Sequence, residues 1–189
     1  VFVGYDIDDP ATGDIAKEMN LFACRFDERA GYHQLHLYVN RMAELANGDW
    51  LFLWNDDALM DLQGWDSIFH RFDSSSPLVL SPSSTGVEHT MCCFPAMSRA
   101  LYSILGHMSL SNHIDSWLQD LANSLGILRK LDVHVFHDRF DLTGGHNDQT
   151  FVESSSGYRT EEFYSDRMQT LLRTDIEKVA KWLKSAGSV

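Results

Sequence analysis

Asn55-Asp56-Asp57 puts an amide and two carboxylates directly after the apolar run Trp50-Leu51-Phe52-Leu53-Trp54. Hard oxygen donors at the end of an apolar strand suit a divalent cation that itself holds a diphosphate, since Mg²⁺ and Mn²⁺ favour carboxylate and phosphate oxygens. Asn and Asp are also good turn and helix-cap residues, so a purely structural role competes with the chemical one. Three other places carry comparable chemistry. Asp8 and Asp9 lie in an acidic turn before Pro10, Asp115 precedes Ser116 and Trp117, and His137 and Arg139 follow the apolar run Val133-His134-Val135-Phe136.

The elements that would position these groups alternate between strand and helix. The run Trp50–Trp54, bounded by Gly48 and by acids, reads as a strand buried on both faces in a parallel sheet, with its acids at the carboxyl end where open α/β sheets bind ligands. Residues 1–5 and 22–26 read as further strands. Leu35, Tyr38 or Val39, Met42, Leu45 and Ala46 fall at helical spacing. Between residues 5 and 22 a short helix runs to about Met19, capped by Thr12 or Asp14. Downstream, the pattern predicts a helix over 64–72 and strands at 78–80 and 90–94. A helix opened by Pro95 then closes at Gly106, and a second spans Ile114 to Leu125. A strand follows at 133–136, and the last element is an amphipathic helix over 160–185. The Gly- and Ser-rich stretch from Leu142 to Tyr158 reads as a loop that closes over a bound ligand.

Composition narrows the function. The 189 residues carry 27 acidic and 15 basic side chains, a formal net charge of -12. That field repels a phosphate backbone and argues against nucleic acid as a partner. Hydrophobic residues make up 44%, enough for one domain over residues 1–189, yet no stretch reaches the ~20 apolar residues of a membrane span. Cys24, Cys92 and Cys93 are odd in number and two are adjacent, which fits free thiols in a reducing, cytoplasmic setting better than a disulfide framework. A core strand at the first residue predicts a further strand upstream.

Taken in order, the acidic end of the first strand, the approach Ala46-Asn47-Gly48-Asp49-Trp50, the acidic Asn55-Asp56-Asp57, Asp115 and His137 resemble the nucleotide-sugar-dependent glycosyltransferases of the GT-A fold. The likeness is greatest to the large inverting family. It implies an α/β, Rossmann-like, mixed but mainly parallel sheet flanked by helices, and a soluble enzyme that moves a sugar from a nucleoside diphosphate donor to a saccharide, lipid or protein hydroxyl.

By the same resemblance Asp57 and His137 hold Mn²⁺ or Mg²⁺, and Asp56 meets the ribose or the metal's surroundings. Asp8 or Asp9 accepts from the nucleobase, Arg139 contacts phosphate, Asp115 is the general base and Trp117 contacts the acceptor. Asn55 departs from the usual acid at the head of the motif. A nucleotidyltransferase and a non-catalytic nucleotide-sugar-binding domain are the rival readings, the first lacking a visible Gly-rich, basic triphosphate loop.

Overall fold

The computed structural model describes residues 1–139, 143–144 and 162–187. Nearly all of the Leu142–Tyr158 stretch therefore lies outside the described residues. The first unit is β1 (Phe2–Asp6), α1 (Pro10–Glu18) and β2 (Phe22–Phe26), with the two strands parallel and Phe2 opposite Phe22. Asp9 caps α1, accepting from the Thr12 amide at 3.2 Å and the Thr12 hydroxyl at 2.6 Å. The cap is thus Asp9 and not Thr12 or Asp14. Pro10 follows at the first helical position, where its missing N–H costs nothing. Gly13 packs closely under the Tyr5 ring, which would have to shift to admit a Cβ there, since that atom would lie 2.6 Å from it.

After a 3₁₀ turn at Tyr32–Gln34, α2 (Leu35–Leu45) leads to β3 (Trp50–Phe52). The remaining elements are β4 (Ala58–Met60), α3 (Asp66–Phe69), β5 (Val79–Ser84), β6 (Ala96–Ser98), α4 (Arg99–Leu105), α5 (Ile114–Leu125), β7 (Leu128–His137) and α6 (Asp166–Ser185). Five of these strands form one sheet in the order β3-β6-β5-β7-β4. Only β5 and β7 run parallel in it, while β3 with β6, β6 with β5 and β4 with β7 are antiparallel. The sheet is mixed, as expected, but its pairings are mainly antiparallel, which corrects the expectation of a mainly parallel one.

Alternation along the strands explains why both faces are covered. Leu51, Val79 and Met97 point into one core with Val39 and Ala43 of α2, Leu101 of α4, and the buried stripes of α5 and α6. Their neighbours Leu80 and Ala96 point the opposite way, onto Phe69 of α3, with Trp50 and Phe52 packed alongside. The run around Leu51 is therefore packed on both sides, as its composition predicts, but it is a three-residue strand at the sheet's edge. A stretch rich in apolar residues signals burial on two faces and carries no information about strand direction.

Other boundaries moved for local reasons. Ser98 caps α4 by accepting from the Leu101 amide at 3.2 Å, so the helix starts there and not at Pro95. Residues 90–94 form no strand, and the helix expected over 64–72 shrinks to Asp66–Phe69. Gly106 and Gly126 close α4 and α5 in the left-handed conformation that glycine adopts freely.

Candidate functional site

β4 pairs antiparallel with β7, placing Ala58 opposite His137, and the Asp138 amide donates to the Asp57 carbonyl at 2.8 Å. This ladder brings Asp57 and His137 together at one end of the sheet. His137 Nε2 lies 3.2 Å from Asp57 Oδ1. Although that is ion-pair distance, Oδ1 is buried and no hydrogen bond of acceptable geometry reaches it. His137 is itself buried, with its backbone amide donating to Thr85 Oγ1 at 3.3 Å.

A buried carboxylate oxygen without a donor is costly unless something positive meets it. Two ligand atoms on adjacent positions of one octahedral cation, each ~2.1 Å from it, stand about 3 Å apart. The Asp57–His137 spacing fits that requirement. Among the described residues there is no group of three or more His, Cys, Asp or Glu side chains suited to a metal.

The wall beside this pair is aromatic. Phe94, fully buried, sits edge-on to the His137 ring at 5.0 Å and packs against Trp54 at 5.5 Å. Its neighbours tie the site to α5. The Cys92 amide donates to Gln119 Oε1 at 2.6 Å, and Asp115 lies in the first turn of α5, its Oδ1 accepting from the Ser116 amide at 2.7 Å.

Both thiols are pushed up from the ordinary cysteine range. Burial is the main cause for Cys92, which reaches about 12, with Asp115 adding to it against a lowering hydrogen bond from Ser81. For Cys93, burial again leads and Asp115 adds, while Ser84 and Arg139 pull the other way. Asp115 and Arg139 thus bear on the same half-buried thiol, next in sequence to the Phe94 that touches His137. Of the expected residues the structure brings Asp57 and His137 into contact, and Arg139 follows two residues along the chain from this pair. Asp56 is exposed.

The remaining expected residues fall elsewhere. Trp117 is fully buried, and its Nε1 donates to the buried Asp175 of α6 at 3.2 Å. It serves the core, so the acceptor-contact reading is not carried forward. Asp9 is committed to capping α1, whereas Asp8 is exposed in the turn after β1. Nearby, Tyr38 donates to Asp6 at 2.6 Å and lines a cleft of about 330 Å³ with Phe26, Arg29, Gln34 and Leu37. A shallower groove of about 500 Å³, between α4 and α6, includes none of these residues.

Several positioning residues escape a reading of sequence alone. Asn40 Oδ1 accepts from the Met108 amide at 2.8 Å, and its Nδ2 donates to the Ser109 carbonyl at 2.7 Å, fixing the loop that leads into α5. Arg99 donates to the Gly48 and Ala46 carbonyls and so holds the approach to β3. Gln119 had one available signal, its place one helical turn after Asp115.

No protein-family model matches the chain, and no curated protein matches it in sequence. Among solved structures it is similar to the mannosyltransferase PcManGT from Pyrobaculum calidifontis, in complex with GDP-Man and Mn²⁺, with a TM-score of 0.52 and 15% identity. The match covers 100% of this chain and 66% of that one. The fold is mixed α/β and similar to that of this mannosyltransferase. No helix among the described residues is long and apolar enough to cross a membrane.

Proposed function

We propose that the protein is a metal-dependent inverting glycosyltransferase of the GT-A type, moving a sugar from a nucleoside diphosphate to a hydroxyl acceptor. The observation that carries this reading is the buried, undonated Oδ1 of Asp57 at 3.2 Å from His137 Nε2, in a fold similar to that of a protein solved with GDP-Man and Mn²⁺.

Asp57 and His137 would hold the divalent cation, Mn²⁺ or Mg²⁺, whose chemistry is to neutralise charge on the departing diphosphate. Arg139, half-buried two residues after His137, presents a forked cation to the phosphate oxygens. Asp56 is exposed and free to meet the ribose hydroxyls. With Asp9 used as a helix cap, Asp8 is the carboxylate at the end of β1 available to accept from the base, near the cleft lined by Tyr38. Asp115 takes the proton from the acceptor hydroxyl as that oxygen attacks the anomeric carbon, opposite the leaving diphosphate. Asp115 lies in the first turn of α5, the helix whose Gln119 accepts from the Cys92 amide.

The test is turnover. A panel of UDP-, GDP-, CMP- and dTDP-sugars is offered with Mn²⁺ or with EDTA, and release of nucleotide is followed with and without acceptors. Release of a nucleoside diphosphate that needs the metal supports a transferase. With nucleoside triphosphates and sugar 1-phosphates offered in parallel, release of pyrophosphate would assign a nucleotidyltransferase, and binding without turnover would leave a nucleotide-sugar-binding domain.

A further inference from the structure

Trp54 is 40% exposed, a large share for an indole, whose apolar area gains ~25 cal/mol for each Å² removed from water. Its ring is nonetheless held in place. Phe52 lies edge-on to it at 5.3 Å, and Phe94 at 5.5 Å joins it to the His137 ring. The next two residues, Asn55 and Asp56, are exposed, and Asp57 follows.

A fixed, flat apolar surface bordered by an amide and carboxylates matches the two-sided chemistry of a pyranose. The ring's C–H face stacks on an aromatic plane, and its equatorial hydroxyls bond to amide and carboxylate oxygens. We infer that Trp54 is the stacking platform for a pyranose at the Asp57–His137 site. This deepens the transferase reading and rests on it for the identity of the site. The pyranose belongs either to the donor or to a saccharide acceptor.

The test uses the full chain labelled with 5-fluorotryptophan, the Trp54 fluorine signal being identified by its loss in Trp54→Phe. The probes are GDP with Mg²⁺, GDP-mannose with Mg²⁺, and the methyl glycosides of α-mannose, β-glucose and β-galactose. The Trp54 signal shifts with at least one sugar-bearing probe and stays in place with GDP. A shift with GDP-mannose alone assigns the donor's pyranose, and a shift with a methyl glycoside assigns the acceptor's. Affinity for the probe that shifts the signal falls about 3–10-fold in Trp54→Ala, the usual worth of an aromatic stacking contact, and largely survives in Trp54→Phe. The inference is overturned if no sugar-bearing probe moves the signal, if GDP alone moves it as far, or if Trp54→Ala binds as tightly as the wild type. If neither GDP nor GDP-mannose binds, only GDP-mannose is excluded as the donor, the transferase reading being decided by the wider donor panel, and the methyl glycosides still uphold or overturn the platform.

Discussion

His137 Nε2 and Asp57 Oδ1 lie 3.2 Å apart because the ladder between β4 and β7 sets Ala58 opposite His137. Neither residue is remarkable in sequence by itself. The sheet makes them a pair by placing a carboxylate oxygen and an imidazole nitrogen at the separation that one cation spans, within a wall made by Phe94.

Asp115 provides the test of chemistry as distinct from binding. Asp115→Asn keeps the size of the side chain and its bond from the Ser116 amide. Transfer is expected to fall by roughly 10²–10⁴, the usual contribution of acid–base catalysis, with donor affinity unchanged. Steady-state rates beside equilibrium donor titration check this. Wild-type turnover in the variant would place the base elsewhere.

The trio of buried Trp117 and Asp175 with half-buried His107 predicts a stability effect away from the site. Asp175 accepts from Trp117 Nε1 at 3.2 Å and lies 3.4 Å from His107 Nε2, joining α5 to α6. Asp175→Ala leaves the indole N–H buried without an acceptor and is expected to cost about 1–3 kcal/mol. Asp175→Asn, which keeps an acceptor oxygen, costs less. Urea unfolding of both variants measures the difference, and equal losses would show that the trio contributes no hydrogen-bond energy.

Cys92 predicts behaviour in alkali. Its folded pKa is raised to about 12 by burial, so the folded state holds the thiol proton more firmly than the unfolded chain does. That stabilisation is complete below the ordinary thiol range and is lost as pH climbs through it toward about 12. Stability of the wild type is therefore expected to fall more steeply than that of Cys92→Ala above pH ~9. Parallel slopes in pH-dependent denaturation would remove Cys92 as the cause.

The fold was legible where a local rule decided the outcome. Residues 22–26 as a strand, α2 from its i, i+3, i+4 apolar spacing and α5 ended by Gly126 all follow from periodicity and caps. Strand direction was not legible, because Leu51 packs equally well whether β6 runs with β3 or against it. The site was legible as residue types in order, but the meeting of Asp57 with His137 depends on a ladder between distant segments. Asn40 and Arg99 act through backbone carbonyls and amides that leave no mark in sequence. Trp117, an acceptor contact by the resemblance, is a core residue whose indole donates to Asp175 of a distant helix, a pairing that sequence does not display.

The central claim is tested most directly by calorimetric titration of nucleoside diphosphate sugars, GDP-mannose among them, into the wild type and Asp57→Ala with Mn²⁺ and with EDTA. Asp57 is a partly exposed strand-end residue, so the variant is expected to keep its fold, verified by circular dichroism. The account predicts that one donor binds the wild type only with Mn²⁺ and that a folded Asp57→Ala loses this binding. Equal donor affinity with Mn²⁺ and with EDTA, or undiminished affinity in Asp57→Ala, would contradict it.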